Sequence, residues 1–185
     1  MSPLKTPICD FGTNAKDFQL ISTNNMLISL NDIKGETGTL IMFICNHCPY
    51  VKAVIKDVVE DCKNLEKLGI KAVAISSNDT INYPEDSFKN MVEFSKKNKF
   101  IFPYLFDETQ DVAKSYSAVC TPDFFGFNGN LELQYRGRIK ELKDLKPVKH
   151  GKSDLYEAMK QISETGKGPK EQIPSLGCSI KWLNK

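Results

Sequence analysis

Two cysteines three positions apart, Cys45 and Cys48, stand in the stretch Phe43-Ile44-Cys45-Asn46-His47-Cys48-Pro49-Tyr50-Val51-Lys52. They follow a continuous apolar run, Thr39 to Ile44, and precede a segment in which Val51, Val54, Ile55, Val58, Cys62 and Leu65 recur at helical spacing. That order predicts a buried strand, a tight connection and a helix N-terminus. The chemistry of such a pair is thiol–disulfide exchange. Unpaired N–H groups and the positive end of the helix dipole favour a thiolate at a helix start. A second thiol within reach can attack a mixed disulfide and release it. Cys45 and Cys48 are therefore the candidate catalytic residues of a reversible two-electron switch.

Pro49 suits the first helical turn, where its missing N–H would have been unpaired. Asn46 and His47, between the thiols, are candidate tuning residues: the intervening dipeptide sets the potential of the couple, and a charged imidazole favours the thiolate. Cys62, on the apolar face of the helix, is expected in the core. His150 lies in a basic stretch and carries no specific role. A C-x-x-C can also be half of a zinc site, but no second pair or His partner stands at matching spacing. Cys45, Cys48 and Cys120 would be the most plausible set to assemble one, and no metal or other cofactor is expected.

The elements that must position the pair are legible around it. Phe18–Ile21 and Met26–Leu30 flank Asn24-Asn25 and predict an N-terminal β-hairpin extension. Ile70–Ser76, reached across Gly69, is a second buried strand and completes a parallel β-α-β unit. A helix is predicted from Ser87 to about Lys97. A short helix should follow Asp107, capped by that side chain with Gln110 in the reciprocal position. Asn128-Gly129, between two strand-like runs, predicts an antiparallel hairpin. Lys140 to Lys152 is expected to be a connection, Ser153 to cap a last helix, and residues 167–185 to form an irregular tail. The fold class is α/β, a central mixed sheet flanked by helices.

At 185 residues and 41% hydrophobic content the chain suits one domain spanning 1–185. A net charge of +2 gives no nucleic-acid or membrane footprint. The first residues lack the apolar core of a signal peptide and no apolar run is long enough to span a bilayer, so a cytoplasmic location with mostly reduced thiols is expected.

Five stretches carry a resemblance: Cys45 to Lys52; Asn82-Tyr83-Pro84-Glu85-Asp86-Ser87; Phe102-Pro103-Tyr104-Leu105 with Asp107-Glu108-Thr109-Gln110; Ala118 to Phe125; and Pro174-Ser175-Leu176-Gly177-Cys178 with Ile180-Lys181-Trp182. Together they resemble the peroxiredoxin-like, AhpC/TSA-like branch of the thioredoxin-fold redoxins. The resemblance implies a thioredoxin-like fold in which Thr121-Pro122 is the cis-proline element beside the dithiol, a docking backbone for a substrate peptide or disulfide. It implies a thiol–disulfide oxidoreductase that exchanges electrons with protein or small-molecule disulfides and a cellular thiol reductant, with peroxides as the alternative substrate class. The peroxidatic P-x-x-x-T-x-x-C pattern fits neither cysteine, and no arginine stands in Cys120-Thr121-Pro122-Asp123. A non-catalytic metal- or cluster-binding redoxin is the third reading. Cys120 and Cys178 are open to a resolving role, although strand alternation turns Cys120 away from Thr121, and Cys178 could instead pack beside Trp182.

The order of attack depends on where the helix begins. A helix capped by Cys45 makes Cys45 the exposed nucleophile and Cys48 the resolver. A helix starting at Pro49, as in peroxiredoxins, makes Cys48 the thiol at its N-terminus. Because a C-x-x-C before a helix usually exposes its first sulfur, Cys45 is the expected nucleophile.

Overall fold

In the computed structural model, which describes residues 3–148 and 153–184, the apolar run before the cysteine pair is a central strand. In chain order the strands are β1 (Leu4–Lys5), β2 (Gln19–Ser22), β3 (Leu27–Ser29), β4 (Gly38–Phe43), β5 (Ile70–Ser76), β6 (Tyr104–Phe106), β7 (Cys120–Thr121), β8 (Asp123–Asn128), β9 (Leu133–Tyr135), β10 (Leu142–Lys143), β11 (Lys146–Pro147) and β12 (Leu176–Ser179). The helices are α1 (Pro49–Glu66), α2 (Phe88–Lys97), α3 (Asp111–Ser115) and α4 (Asp154–Thr165). The main sheet has the order β3-β2-β6-β5-β4-β8-β9. Its β4–β5 and β5–β6 pairs are parallel and the rest antiparallel.

All six residues of β4 are buried because the sheet is covered on both faces. Leu40, Met42 and Ile44 pack with Val51, Val54 and Leu65 of α1 and with Leu155 and Met159 of α4. Ile41 and Phe43 point the other way, into a cluster with Leu105, Tyr116 and Phe125. This is the period-two alternation of a strand. Each such side chain contributes roughly 1.5–3 kcal/mol by burial, so the strand that delivers the cysteine loop is anchored on both sides.

The β-α-β unit, α2 and both hairpins form as the sequence predicts, and Ser87 caps α2 by accepting from the N–H of Asn90. The N-terminal hairpin is less separate than expected, because β2 also pairs with β6 and widens the main sheet. Asp107 does cap α3, accepting from the N–H of Val112 and Ala113, but the helix starts later and the Gln110 amide instead reaches Ser77 O and Lys181 O. The expected connection after Lys140 contains the β10–β11 hairpin, and His150 lies outside the described residues.

The tail departs most from expectation. Most of it runs without regular structure as expected, but Leu176–Ser179 form β12 in a second sheet of order β1-β12-β7. Cys178 pairs with Thr121, and Ser179 with Cys120. Ser175 Oγ donates to Pro122 O (2.9 Å) and Ile180 N to Val119 O (3.2 Å). Gly177 permits this approach, since a Cβ there would lie 2.1 Å from Thr121 O. Gly177→Ala should therefore lower stability by about 1–3 kcal/mol through overpacking. It should also speed hydrogen exchange at the Ile180 amide; unchanged exchange would show that β12 does not depend on that contact.

Candidate active site

The helix that carries the site begins at Pro49, with Cys48 as its N-cap and no acidic residue in its first turn. Of the two possible starts this is the second: Cys48 is the thiol at the helix N-terminus and Cys45 lies in the preceding loop. The Cys48 sulfur is 3.1 Å from Thr121 O, and the Cys45 sulfur 3.3 Å from Thr121 Oγ1. The Thr121-Pro122 peptide bond is cis, as the resemblance implies. Both thiols are closed to solvent, Cys45 at 1% and Cys48 at 0% exposure.

The two neighbouring thiols act on each other, and their acidities are driven apart. Donation from the Cys45 thiol brings Cys48 down to about 5, against its burial and with help from the N–H of Val51 and from the Cys178 backbone and thiol. The same bond, followed by burial and the charge of Asp86, pushes Cys45 well above the ordinary thiol range. Cys48, whose thiol donates to Thr121 O, is thus the more acidic of the two and Cys45 the less.

The loop between the thiols is held by a carboxylate that the sequence did not single out. Asp86, fully buried, accepts from Asn46 N (2.7 Å), His47 N (3.2 Å) and Asn78 Nδ2 (2.8 Å), and lies 2.6 Å from His47 Nδ1. Asn46 is fixed at both ends of its amide, by Glu85 O and the Tyr104 hydroxyl. The ring of His47 stacks on Tyr83 with centroids 5.8 Å apart. His47 was expected to favour a thiolate, but its Nδ1 faces Asp86, whose charge acts on Cys45 in the opposite sense. Among the described residues Cys45, His47 and Asp86 place ligand-type atoms within 4.8 Å of one another. Both Asp86 oxygens are already engaged by donors, so the set reads as a loop clamp.

The other sequence-derived residues divide. Thr121 lies against both sulfurs, but its strand edge is paired with β12, so the expected docking backbone is covered by the chain's own tail. Pro122 lines a cavity of about 420 Å³ with Tyr50, Val54, Ile139 and Leu142. Cys120 is buried and aims its sulfur at Pro122 O (3.7 Å), and burial holds its thiol well above the usual range. Cys178 is only partly buried and packs against the cluster that contains Cys48. Cys62 packs in the core as expected. Arg136, to which no role was given, forms a buried pair with Asp123 (2.9 Å) and lies over the Phe125 ring, 4.4 Å from its centroid.

The AhpC/TSA family model matches residues 11–141. The chain belongs to the AhpC/TSA family. This places it among redoxins, oxidoreductases built on the thioredoxin-like fold described above. Over 100% of its length it is similar to an uncharacterized conserved protein from Geobacillus kaustophilus, at 38% identity and a TM-score of 0.94, covering 98% of that chain. A hypothetical protein from Sinorhizobium meliloti 1021 matches at 31% identity and a TM-score of 0.90, with 100% of both chains covered. The thioredoxin domain of a thiol-disulfide oxidoreductase from Bacteroides vulgatus shares the fold at 17% identity and a TM-score of 0.58, over 68% of this chain and 86% of that one. No curated protein sequence matches the chain. Among the described residues no helix is long and apolar enough to cross a membrane.

Asp86→Ala should loosen the cysteine loop. It leaves buried donors without an acceptor at about 1–3 kcal/mol each, so urea melts should show a loss of about 3 kcal/mol or more, and Cys45 should alkylate faster. Parental stability would mean that the loop is held by other contacts.

Proposed function

We propose that this redoxin is a thiol–disulfide oxidoreductase in which Cys48 is the attacking thiolate and Cys45 the resolving thiol. The observation that carries the proposal is the position of the two thiols, with Cys48 as the N-cap of α1 and Cys45 in the loop before it, both against Thr121; the helix start favours the more acidic thiol at Cys48, lowered to about 5. The Cys48 thiolate attacks one sulfur of a protein or small-molecule disulfide, forming a mixed disulfide and expelling one thiolate. The Cys45 sulfur then attacks Cys48, its proton passing to the second leaving thiolate. The substrate is reduced by two electrons, the protein holds a Cys45–Cys48 disulfide, and a cellular thiol reductant returns it to the dithiol. The cavity beside Pro122 and Tyr50 offers an apolar seat for the substrate's bulk. Six free cysteines suit a reducing compartment such as the cytosol.

Peroxide is the weaker substrate class. The N-terminal position of Cys48 favours it, but the nearby arginine on β8's flank, Arg136, is paired with Asp123 and with Ser117 O. A peroxide would meet a thiolate with little electrostatic help for the developing charge. The expected outcomes follow. Cys48→Ser should lose at least about a hundredfold in reduction of a model disulfide, together with the fast-alkylating thiol near neutral pH. Cys45→Ser should retain that thiol. The reverse pattern would make Cys45 the nucleophile, and peroxide turnover outpacing disulfide reduction would make the protein a thiol peroxidase.

A further inference from the structure

Cys45 and Cys48 are at 1% and 0% exposure, so the substrate disulfide and any reductant acting directly on the pair both need the site to open, whereas a partly exposed third sulfur offers the reductant a route that does not. A third sulfur lies within reach. Cys178 pairs with Thr121, the residue whose carbonyl oxygen is 3.1 Å from the Cys48 sulfur. It packs against the cluster that contains Cys45 and Cys48, and is itself partly exposed. Gly177, with no side chain, lets the strand come this close. The strand lies beyond residues 11–141 matched by the family model.

We propose that Cys178 is the relay thiol through which a thiol reductant resets the buried dithiol. The proposal rests on the Cys45–Cys48 exchange given above. In the first step the Cys178 thiolate attacks the Cys48 sulfur of the Cys45–Cys48 disulfide. A Cys48–Cys178 bond forms, the Cys45–Cys48 bond breaks, and Cys45 takes up the proton that Cys178 gave up; no net oxidation occurs. In the second step an external thiolate attacks Cys178, the exposed sulfur of the new disulfide, and Cys48 leaves as a thiolate. A second external thiol then attacks the mixed disulfide on Cys178, releasing the oxidised reductant as its disulfide and restoring the Cys178 thiol. Two external thiols are oxidised and one protein disulfide is reduced.

The physical chemistry favours this route at the second step. Thiol–disulfide exchange is faster at the accessible sulfur and with the more acidic leaving group. Cys48 is held near 5, whereas Cys178 is pushed up to about 11 by burial and by its hydrogen bond to Cys48. Attack at Cys178 with departure of Cys48 satisfies both conditions.

The test uses the full chain, oxidised and then reduced by glutathione, with disulfides mapped by peptide mass spectrometry after rapid alkylation. Cys178→Ser should still form the Cys45–Cys48 disulfide but be reduced at least about tenfold more slowly than the parent. Cys45→Ala, exposed to glutathione disulfide, should yield a Cys48–Cys178 bond. Reduction of Cys178→Ser at the parental rate, or glutathione retained on Cys48 of Cys45→Ala without that bond, would overturn the relay and leave the Cys45–Cys48 reading intact. A parent that forms no Cys45–Cys48 disulfide would overturn both.

Discussion

A sulfur anion with almost no exposed surface persists only where protein dipoles and donors replace the water it has lost. A Cys48 thiolate would be in that position, and most of the surrounding structure supplies the replacement. The N-terminus of α1 presents its N–H groups, the Cys45 thiol donates directly, and Cys178 adds its backbone and thiol. These donors come from two distant parts of the chain, the stretch 45–51 and the tail. The arrangement therefore depends on β4 ending where it does, on the Asp86 clamp, and on the tail strand reaching Thr121.

The tail has the larger consequence for function. A thioredoxin-like fold leaves a strand edge beside its dithiol for an incoming chain, and here β12 fills it. Ser175, Ile180 and Lys181 fasten the tail to Pro122, Val119 and Asn78, and Gln110 holds both Lys181 O and the N–H of Leu183. Gln110 thus serves the site indirectly, by fixing the segment that carries Cys178. β12 covers Thr121, while its neighbour Pro122 lines the cavity beside Tyr50 and Ile139.

Much of this could be read from the sequence, and what could not has physical reasons. The β4–loop–α1 unit was legible because a fully buried strand has a continuous apolar run and because Pro49 marks a helix start. The Asn24-Asn25 and Asn128-Gly129 turns announce themselves by residue type. Cis Thr121-Pro122 came from the resemblance and not from any local pattern. Asp86 stood in a stretch that carries the resemblance, but its role was not legible, since its loop partners Asn46 and His47 lie about 40 positions back, with no periodic signature linking a loop carboxylate to a distant backbone. The β12 strand was hidden by Pro174 and Gly177, which read as loop residues; the glycine is there to let two backbones approach, a reason that only the partner strand reveals. The proposed nucleophile is Cys48 and not the expected Cys45 because the choice turns on a single helix cap, the feature that sequence patterns place least well.

The most direct test of the account is the pH dependence of Cys48 alkylation, followed on its own peptide by mass spectrometry in the parent and in Cys45→Ala. The parent should be half-ionised near pH 5, and loss of the Cys45 donor should move the midpoint upward toward the ordinary value near 9. A parental midpoint already near 9, or one unmoved in Cys45→Ala, would contradict a thiolate held on Cys48 by its partner thiol.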